Sequence, residues 1–302
     1  MSLDDVNGVE PRLLSIEDIY RLRFADGEPP PALPDVLPLL AQYRVRFRLG
    51  ELSLVAGPPG HGKSVLGLTL AVMCGLPSMY LTLDTSDYDT AVRVTAMVNG
   101  ITTDDVESAV QQGRAEAYFA KTAANVKHVR FVVRPPAQAT DMIPDIEAMK
   151  PKFIVVDNLT DVGDHYGAGT PHEVAEGILQ DLKRLARRYG VHIMALHHVT
   201  GAHNDGNAPI PLSGIKGQIG RIPALVLTVR RDRIAPNMLI YIAKNRYGPE
   251  LETVHAVDLP RMRMLDARLY RPDGTWVKAF PSVAPIPSSP DAAIGYGEEW
   301  DT

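Results

Sequence analysis

The residues best suited to do chemistry lie between positions 57 and 65. Gly57, Pro58, Pro59, Gly60, His61, Gly62, Lys63 and Ser64 fit the spacing G-x-x-x-x-G-K-[ST]. Glycines at these places let the backbone turn so tightly that successive N–H groups point at one phosphate. Lys63 supplies the cation for the β and γ phosphates, and Ser64 offers a hydroxyl to Mg²⁺. The segment through Val65 opens a helix whose positive N-terminus faces the same anion. ATP with Mg²⁺ is the expected ligand. A second group is Asp157, which ends the apolar run Phe153-Ile154-Val155-Val156. It would place a carboxylate at the C-terminal edge of a strand, where such sheets bind phosphates, and would hold the Mg²⁺.

These groups need a scaffold, and the flanking pattern describes one. Short apolar runs occur at 52–56, 79–84, 129–133, 153–157, 192–196, 224–229 and 238–243. Helical patterns at 64–74, 90–98, 104–111 and 173–189 alternate with the earlier runs. Fully apolar strands separated by helices predict an α/β fold with a parallel sheet covered on both faces. The last strands follow one another without helices, which predicts an antiparallel C-terminal extension. The most apolar stretch, 64–83, is broken by Gly75 and Pro77. It reads as the helix after the phosphate loop and its following strand, not as a membrane span.

Composition narrows the class further. A chain of 302 residues with 45% hydrophobic residues and net charge −5 has material for a large core and is not a disordered protein. A generic DNA-coating role is excluded by the acidic balance, so any nucleic-acid contact must be local or multiplied by assembly. The single cysteine, Cys74, excludes an internal disulfide and suits a reducing cytoplasm, and the acidic first ten residues do not resemble a signal peptide. Prolines at 29, 30, 31, 34 and 38 suggest an N-terminal arm and stiff linker over 1–43, with a short helical signal near 15–23. The expected catalytic domain covers 44–280. A flexible acidic tail, 281–302, carries Asp291, Glu298, Glu299 and Asp301 and could engage a replication partner.

Farther motifs carry a resemblance. Asp157-Asn158-Leu159, Leu182-Lys183-Arg184-Leu185-Ala186, the strand 191–196 and Ala243-Lys244-Asn245-Arg246-Tyr247-Gly248-Pro249 are similar to the DnaB-type replicative helicase motor of the RecA superfamily. The resemblance spans about 44–270 and implies a RecA-like P-loop NTPase core. It further implies that Asp84, ending the strand 79–84, stands where the family has the glutamate that activates the attacking water. Asp87 lies close enough to compete for that role. Arg93 corresponds to an arginine beside the nucleotide base. His197-His198 replaces the family's Ser-Gln and is like the plasmid helicase group typified by RepA, with His198 as γ-phosphate sensor. A metal reading with His203 and Asp205 is weaker, because adjacent residues on a strand point to opposite faces.

Lys244 and Arg246 are two apart on a strand and leave the same face. Arg246 would be an arginine finger, with Lys244 its companion, acting across a subunit boundary. The implied assembly is a homo-oligomeric ring, hexameric in the family. The glycine-rich stretch 200–220 contains Leu212-Ser213-Gly214-Ile215-Lys216-Gly217, similar to the segment lining the central channel of such rings. Lys216 is the expected DNA contact. One lysine is negligible alone, but repeated around a ring it tracks the phosphates of a single strand. Asp161 and Asp164 make the 157–170 loop less inviting to DNA. The expected function is an ATP-driven motor on single-stranded DNA, of phage or plasmid type and cytoplasmic. Rival readings are a filament-forming recombination or repair ATPase, a DNA-processing nuclease regulated by ATP, and a nucleotide-gated clamp or loader.

Overall fold

Strand β1 (Leu52–Ala56) is buried along its whole length and has parallel partners on both sides. A computed structural model describes residues 15–17, 30–136, 138–163, 169–271 and 273–278. Its main sheet has the order β3-β2-β4-β5-β1-β6-β7-β8-β9. The strands β2 (Ser78–Thr82), β3 (Val129–Val132), β4 (Phe153–Asp157), β5 (His192–His197) and β6 (Leu225–Arg231) run parallel with β1. Antiparallel to these come β7 (Asn237–Asn245), β8 (Glu252–Asp258) and β9 (Arg263–Met264). A small hairpin, β10 (Arg268–Tyr270) with β11 (Trp276–Lys278), lies apart from the sheet. The fold class and the antiparallel extension are as expected, and most of the predicted runs lie within a residue or two of a strand.

Alternate residues of each strand feed two cores, which is why the central runs are apolar throughout. Val55, Tyr80, Val155 and Leu196 face α2 (Lys63–Met73), the helix after the phosphate loop. Leu54, Leu81, Val156 and Ala195 face α7 (Pro171–Tyr189). Helix α7 has complete start and stop signals. Thr170 and Glu173 form a capping box, Pro171 stands in the first turn, Arg187 and Arg188 lie in the last turn, and left-handed Gly190 ends it. No helix among the described residues is long and apolar enough to cross a membrane.

One expectation is corrected. The proline-rich stretch before residue 43 is not a detached linker over its whole length. Leu33, Val36, Leu37 and Leu40 are buried in the α2-side core, and Ala32 bridges Arg48. Pro38 opens a short helix, α1 (Pro38–Gln42), at a position where its missing N–H costs nothing. The prolines therefore shape a packed segment whose intervening leucines and valine are core residues. The helical signal at 15–23 lies largely, and the acidic tail wholly, outside the described residues.

Two histidines on β5 are locked into the frame. His192 Nδ1 donates to the Arg48 carbonyl at 2.8 Å, and its Nε2 accepts from Ser53 Oγ at 2.8 Å. His197 Nε2 donates to the Lys216 carbonyl at 3.0 Å. Burial pushes both imidazoles down to about 4 from the usual 6.5. The unfolded chain therefore binds more protons between those values. Stability from these sites is complete above pH 6.5 and is lost as pH falls toward 4. We expect each to cost about 2 kcal/mol by pH 5. The urea midpoint should fall steadily from pH 7 to pH 5; a constant midpoint would show that both rings ionise freely in the folded state.

Candidate active site

The phosphate loop joins β1 to α2 at the C-terminal edge of the parallel strands. Gly62 caps α2 with φ +94°, and a Cβ there would lie 2.3 Å from Met238 Cε. At Gly57 a Cβ would lie 2.5 Å from the Val229 carbonyl oxygen. Only glycine fits these two positions, because β6 and β7 close on the loop from outside. Lys63 is 7% exposed, and its Nζ donates to the carbonyls of Gly57 and Pro58, each at 2.9 Å. Burial lowers its pKa, and the negative charges of Asp157 and Asp84 oppose the shift. His61 accepts from the Arg231 N–H at 3.1 Å, which ties the loop to β6.

Asp157 ends β4, one strand beyond β5, and is 8% exposed. Burial raises its pKa, while hydrogen bonds from Tyr80 and Ser64 stabilise the carboxylate and oppose that rise. The Tyr80 hydroxyl reaches Asp157 Oδ2 at 2.6 Å from the neighbouring strand β2. Ser64 and Asp157 thus meet as a hydroxyl–carboxylate pair, a hard-oxygen donor set that fits Mg²⁺ shared with nucleotide phosphates.

Asp84 lies just beyond β2, where the Leu83 N–H donates to the Asp157 carbonyl at 2.6 Å. Its charge acts on Lys63, His198 and Asp161, so it stands inside the phosphate site. Asp87 opens helix α3 (Asp87–Asn99) and accepts the Tyr88 N–H at 2.8 Å. Asp161, expected only to discourage DNA, joins the carboxylates: burial raises its pKa first, and Asp84 and Asp157 add to the rise. Asp164 lies outside the described residues. Arg93 has surroundings different from the expected nucleotide base. It donates to Thr85 Oγ1 at 3.2 Å, and its charge acts on Asp157 and Tyr80. The reason is topological: α3 follows β2, whose neighbour is β4, so its side chains are delivered to the carboxylates.

The histidine pair splits as a strand requires. His197 faces inward with its Nδ1 buried and unpartnered, while His198 faces the site. Asn158 Oδ1 accepts from Thr160 N–H and Oγ1, so its amide nitrogen must donate to His198 Nε2, at 3.0 Å. The His198 proton therefore sits on Nδ1. Burial, then the charge of Lys63, lowers its pKa and keeps it neutral. The glycine-rich segment is laced to this strand end: Lys216 N–H donates to the His198 carbonyl, and Thr200 N–H to that of Gly214. Lys216 itself is exposed. Among the described residues no group of three or more His, Cys, Asp or Glu could hold a metal ion, and His203 lies over Gly214.

Lys244 and Arg246 stand elsewhere. Met238, near the start of β7, touches Gly62, whereas Asn245 at its end pairs with Leu225 at the start of β6. The cations therefore lie at the opposite edge of the sheet, about 20 Å along β7 from their own phosphate loop. Lys244 Nζ donates to the carbonyls of Gly220 and Arg221 at 3.1 and 2.7 Å, and Arg246 is exposed. Lys183 of α7 joins them, since burial and the charges of Arg187 and Arg246 lower its pKa.

With this geometry in hand, comparison with known proteins is informative. A family model described as an AAA domain matches residues 21–203, more than half of the chain. The gene 65 protein of Mycobacterium phage L5 is 34% identical over 75% of this chain and 87% of its own length. The gene 65 protein of Mycobacterium phage D29 is also 34% identical, over 65% and 88%. This chain belongs to the AAA domain family. A probable plasmid replicative DNA helicase of Chlamydia muridarum is 22% identical over 69% of this chain and 49% of its own length. The fold is that of a DnaB-like replicative helicase solved with regard to its interactions with primase. That match has TM-score 0.70 and 15% identity, over 86% of this chain and 68% of that one. A second solved structure, of an isolated ATPase domain, has TM-score 0.67 and 15% identity, over 87% and 98%.

As an AAA-domain ATPase, the chain has a phosphate loop, a buried carboxylate and a histidine at adjoining strand ends, in the order β4-β5-β1. Sequence reasoning missed Tyr80, Asn158 and Lys183 as parts of the functional machinery. Tyr80 reads as one more apolar strand residue. Asn158 and Lys183 lie inside motifs whose neighbours drew the assignment.

Proposed function

We propose that this AAA-domain ATPase is a ring-forming motor that moves along single-stranded DNA, a replicative helicase of phage or plasmid type. The observation that carries the reading is the segment 214–222. At one end Lys216 exchanges backbone hydrogen bonds with the strand end bearing His197 and His198. At the other, the carbonyls of Gly220 and Arg221 hold Lys244, and that of Ile222 accepts from Lys183. One short segment thus touches the γ-phosphate sensor of its own site and the cations offered to a neighbour. The exposed Lys216 lies between them. Movement of DNA against Lys216 is in this way coupled to both nucleotide sites.

In this reading Gly57–Val65 cradle ATP, and Ser64 and Asp157 hold Mg²⁺, which neutralises charge on the β and γ phosphates. Asp84 accepts a proton from the attacking water. His198 offers its Nδ1–H to the γ-phosphate. Arg246, with Lys244, reaches the nucleotide of the adjacent subunit. The net acidity of the chain agrees with DNA contact made by a few cations repeated around a ring.

The test is steady-state ATP hydrolysis with and without oligo(dT). Single-stranded DNA should stimulate turnover, and Lys216→Ala should raise the DNA concentration giving half-stimulation about tenfold while sparing basal turnover. Stimulation untouched by Lys216→Ala would remove the segment from the DNA path. No stimulation in the wild-type protein would favour a clamp or loader.

A further inference from the structure

A cleft of about 730 Å³ lies at the sheet edge opposite the phosphate loop. Arg44, Arg46, Arg48, Tyr247, Tyr270 and Trp276 line it. Val45 and Phe47, between the arginines, are buried, so the basic side chains share the outer side of this segment. Their roles differ. Arg46 is spent on the fold, donating to the Ala41 carbonyl at 2.8 Å and pairing with Asp35 at 3.5 Å. The Arg48 guanidinium lies 3.4 Å over the Tyr247 ring, whose hydroxyl is held by Glu51 at 2.6 Å. Arg44 is exposed. Trp276 pairs with Tyr270 across the β10–β11 hairpin, ring centroids 5.0 Å apart and edge to face, and keeps 38% of its surface exposed.

Three guanidinium groups against one carboxylate, Asp35, make this a basic spot on an acidic protein. An edge-to-face pair leaves a tryptophan face free for a flat partner. Cations beside an open aromatic face are what a single nucleic-acid strand requires, phosphates on the arginines and a base on the ring. An acidic peptide would use the arginines but leave the tryptophan unemployed. We infer that this cleft is a second site for single-stranded DNA, in which Arg44 and Arg48 take phosphates and Trp276 stacks on a base. It is separate from the Lys216 segment and does not depend on the motor reading: DNA can occupy it whether or not DNA stimulates ATP hydrolysis.

The full chain carries two tryptophans, Trp276 and Trp300. Trp300→Phe therefore leaves Trp276 as the sole indole reporter. Oligo(dT) should quench its fluorescence, and equally so when Lys216→Ala is added. Arg44→Gln should weaken the half-saturating concentration roughly five- to tenfold and lower the slope of log affinity against log salt by about one. Its thermal midpoint and DNA-free ATPase rate should be unchanged. Absence of quenching overturns the site. Quenching abolished by Lys216→Ala would assign the signal to the other segment and also overturn it. Stronger quenching by poly-glutamate than by oligo(dT) of equal charge would make the cleft an acidic-peptide surface instead.

Discussion

An Arg246→Ala protein should bind ATP normally and hydrolyse it about 10³-fold more slowly, the usual loss when an arginine finger is removed. Its own phosphate loop is untouched, and Arg246 stands about 20 Å along β7 from that loop, too far to act within one subunit. The loss must then appear at the neighbouring subunit's site. Lys63→Ala is the complementary lesion: it removes the cation beside the phosphates and keeps the finger. Mixing the two dead variants should restore activity, because some interfaces unite an intact loop with an intact finger. In a head-to-tail ring assembled at random from equal amounts, that is about one interface in four. Subunit exchange is established first with fluorescently labelled protein. With exchange shown, absence of rescue at every ratio would exclude both the trans finger and the obligate ring.

Asp84→Asn should keep nucleotide affinity within about twofold and slow turnover by about 10²- to 10⁴-fold, since only proton acceptance from water is lost. Asp87→Asn should leave turnover nearly unchanged. The contrast follows from position. The charge of Asp84 acts on Lys63, His198 and Asp161, whereas Asp87 accepts an N–H in the first turn of its own helix. Aspartate is one methylene shorter than the glutamate expected from the resemblance, so its water must lie closer to β2. Pre-steady-state measurement separates the hydrolysis step from product release. If Asp87→Asn is the more damaging change, the carboxylates have been assigned in the wrong order.

The phosphate loop, the strand ending in Asp157 and the sheet class were legible in the sequence because each rests on local rules. A tight glycine turn, an apolar run ending in an acid and period-3.6 helices are written within a few residues. Strand β8 was not legible, and its pattern shows why. Its buried positions are Thr253, His255 and Val257, while Val254 is 52% exposed, so the polar residues face inward. Thr253 is satisfied by the Ile240 carbonyl and His255 by Asp266, partners on neighbouring elements that no local pattern records. The segment 31–43 fails in a similar way: its prolines signal an extended linker, but Leu33, Val36, Leu37 and Leu40 find a core supplied by residues far along the chain.

Residue types alone determined that this protein has a nucleotide loop, candidate carboxylates and a lysine–arginine pair. Only the tertiary structure decided what each one faces. Strand order brought Asp84 and His198 to the loop, and the antiparallel course of β7 carried Lys244 and Arg246 to the far edge. It also turned Arg93 toward Asp157 and gave Asp157 a tyrosine partner from β2. The physical reason is that charge and hydrogen bonding act over a few ångströms of space, and the sheet, not the sequence interval, sets which residues share that space.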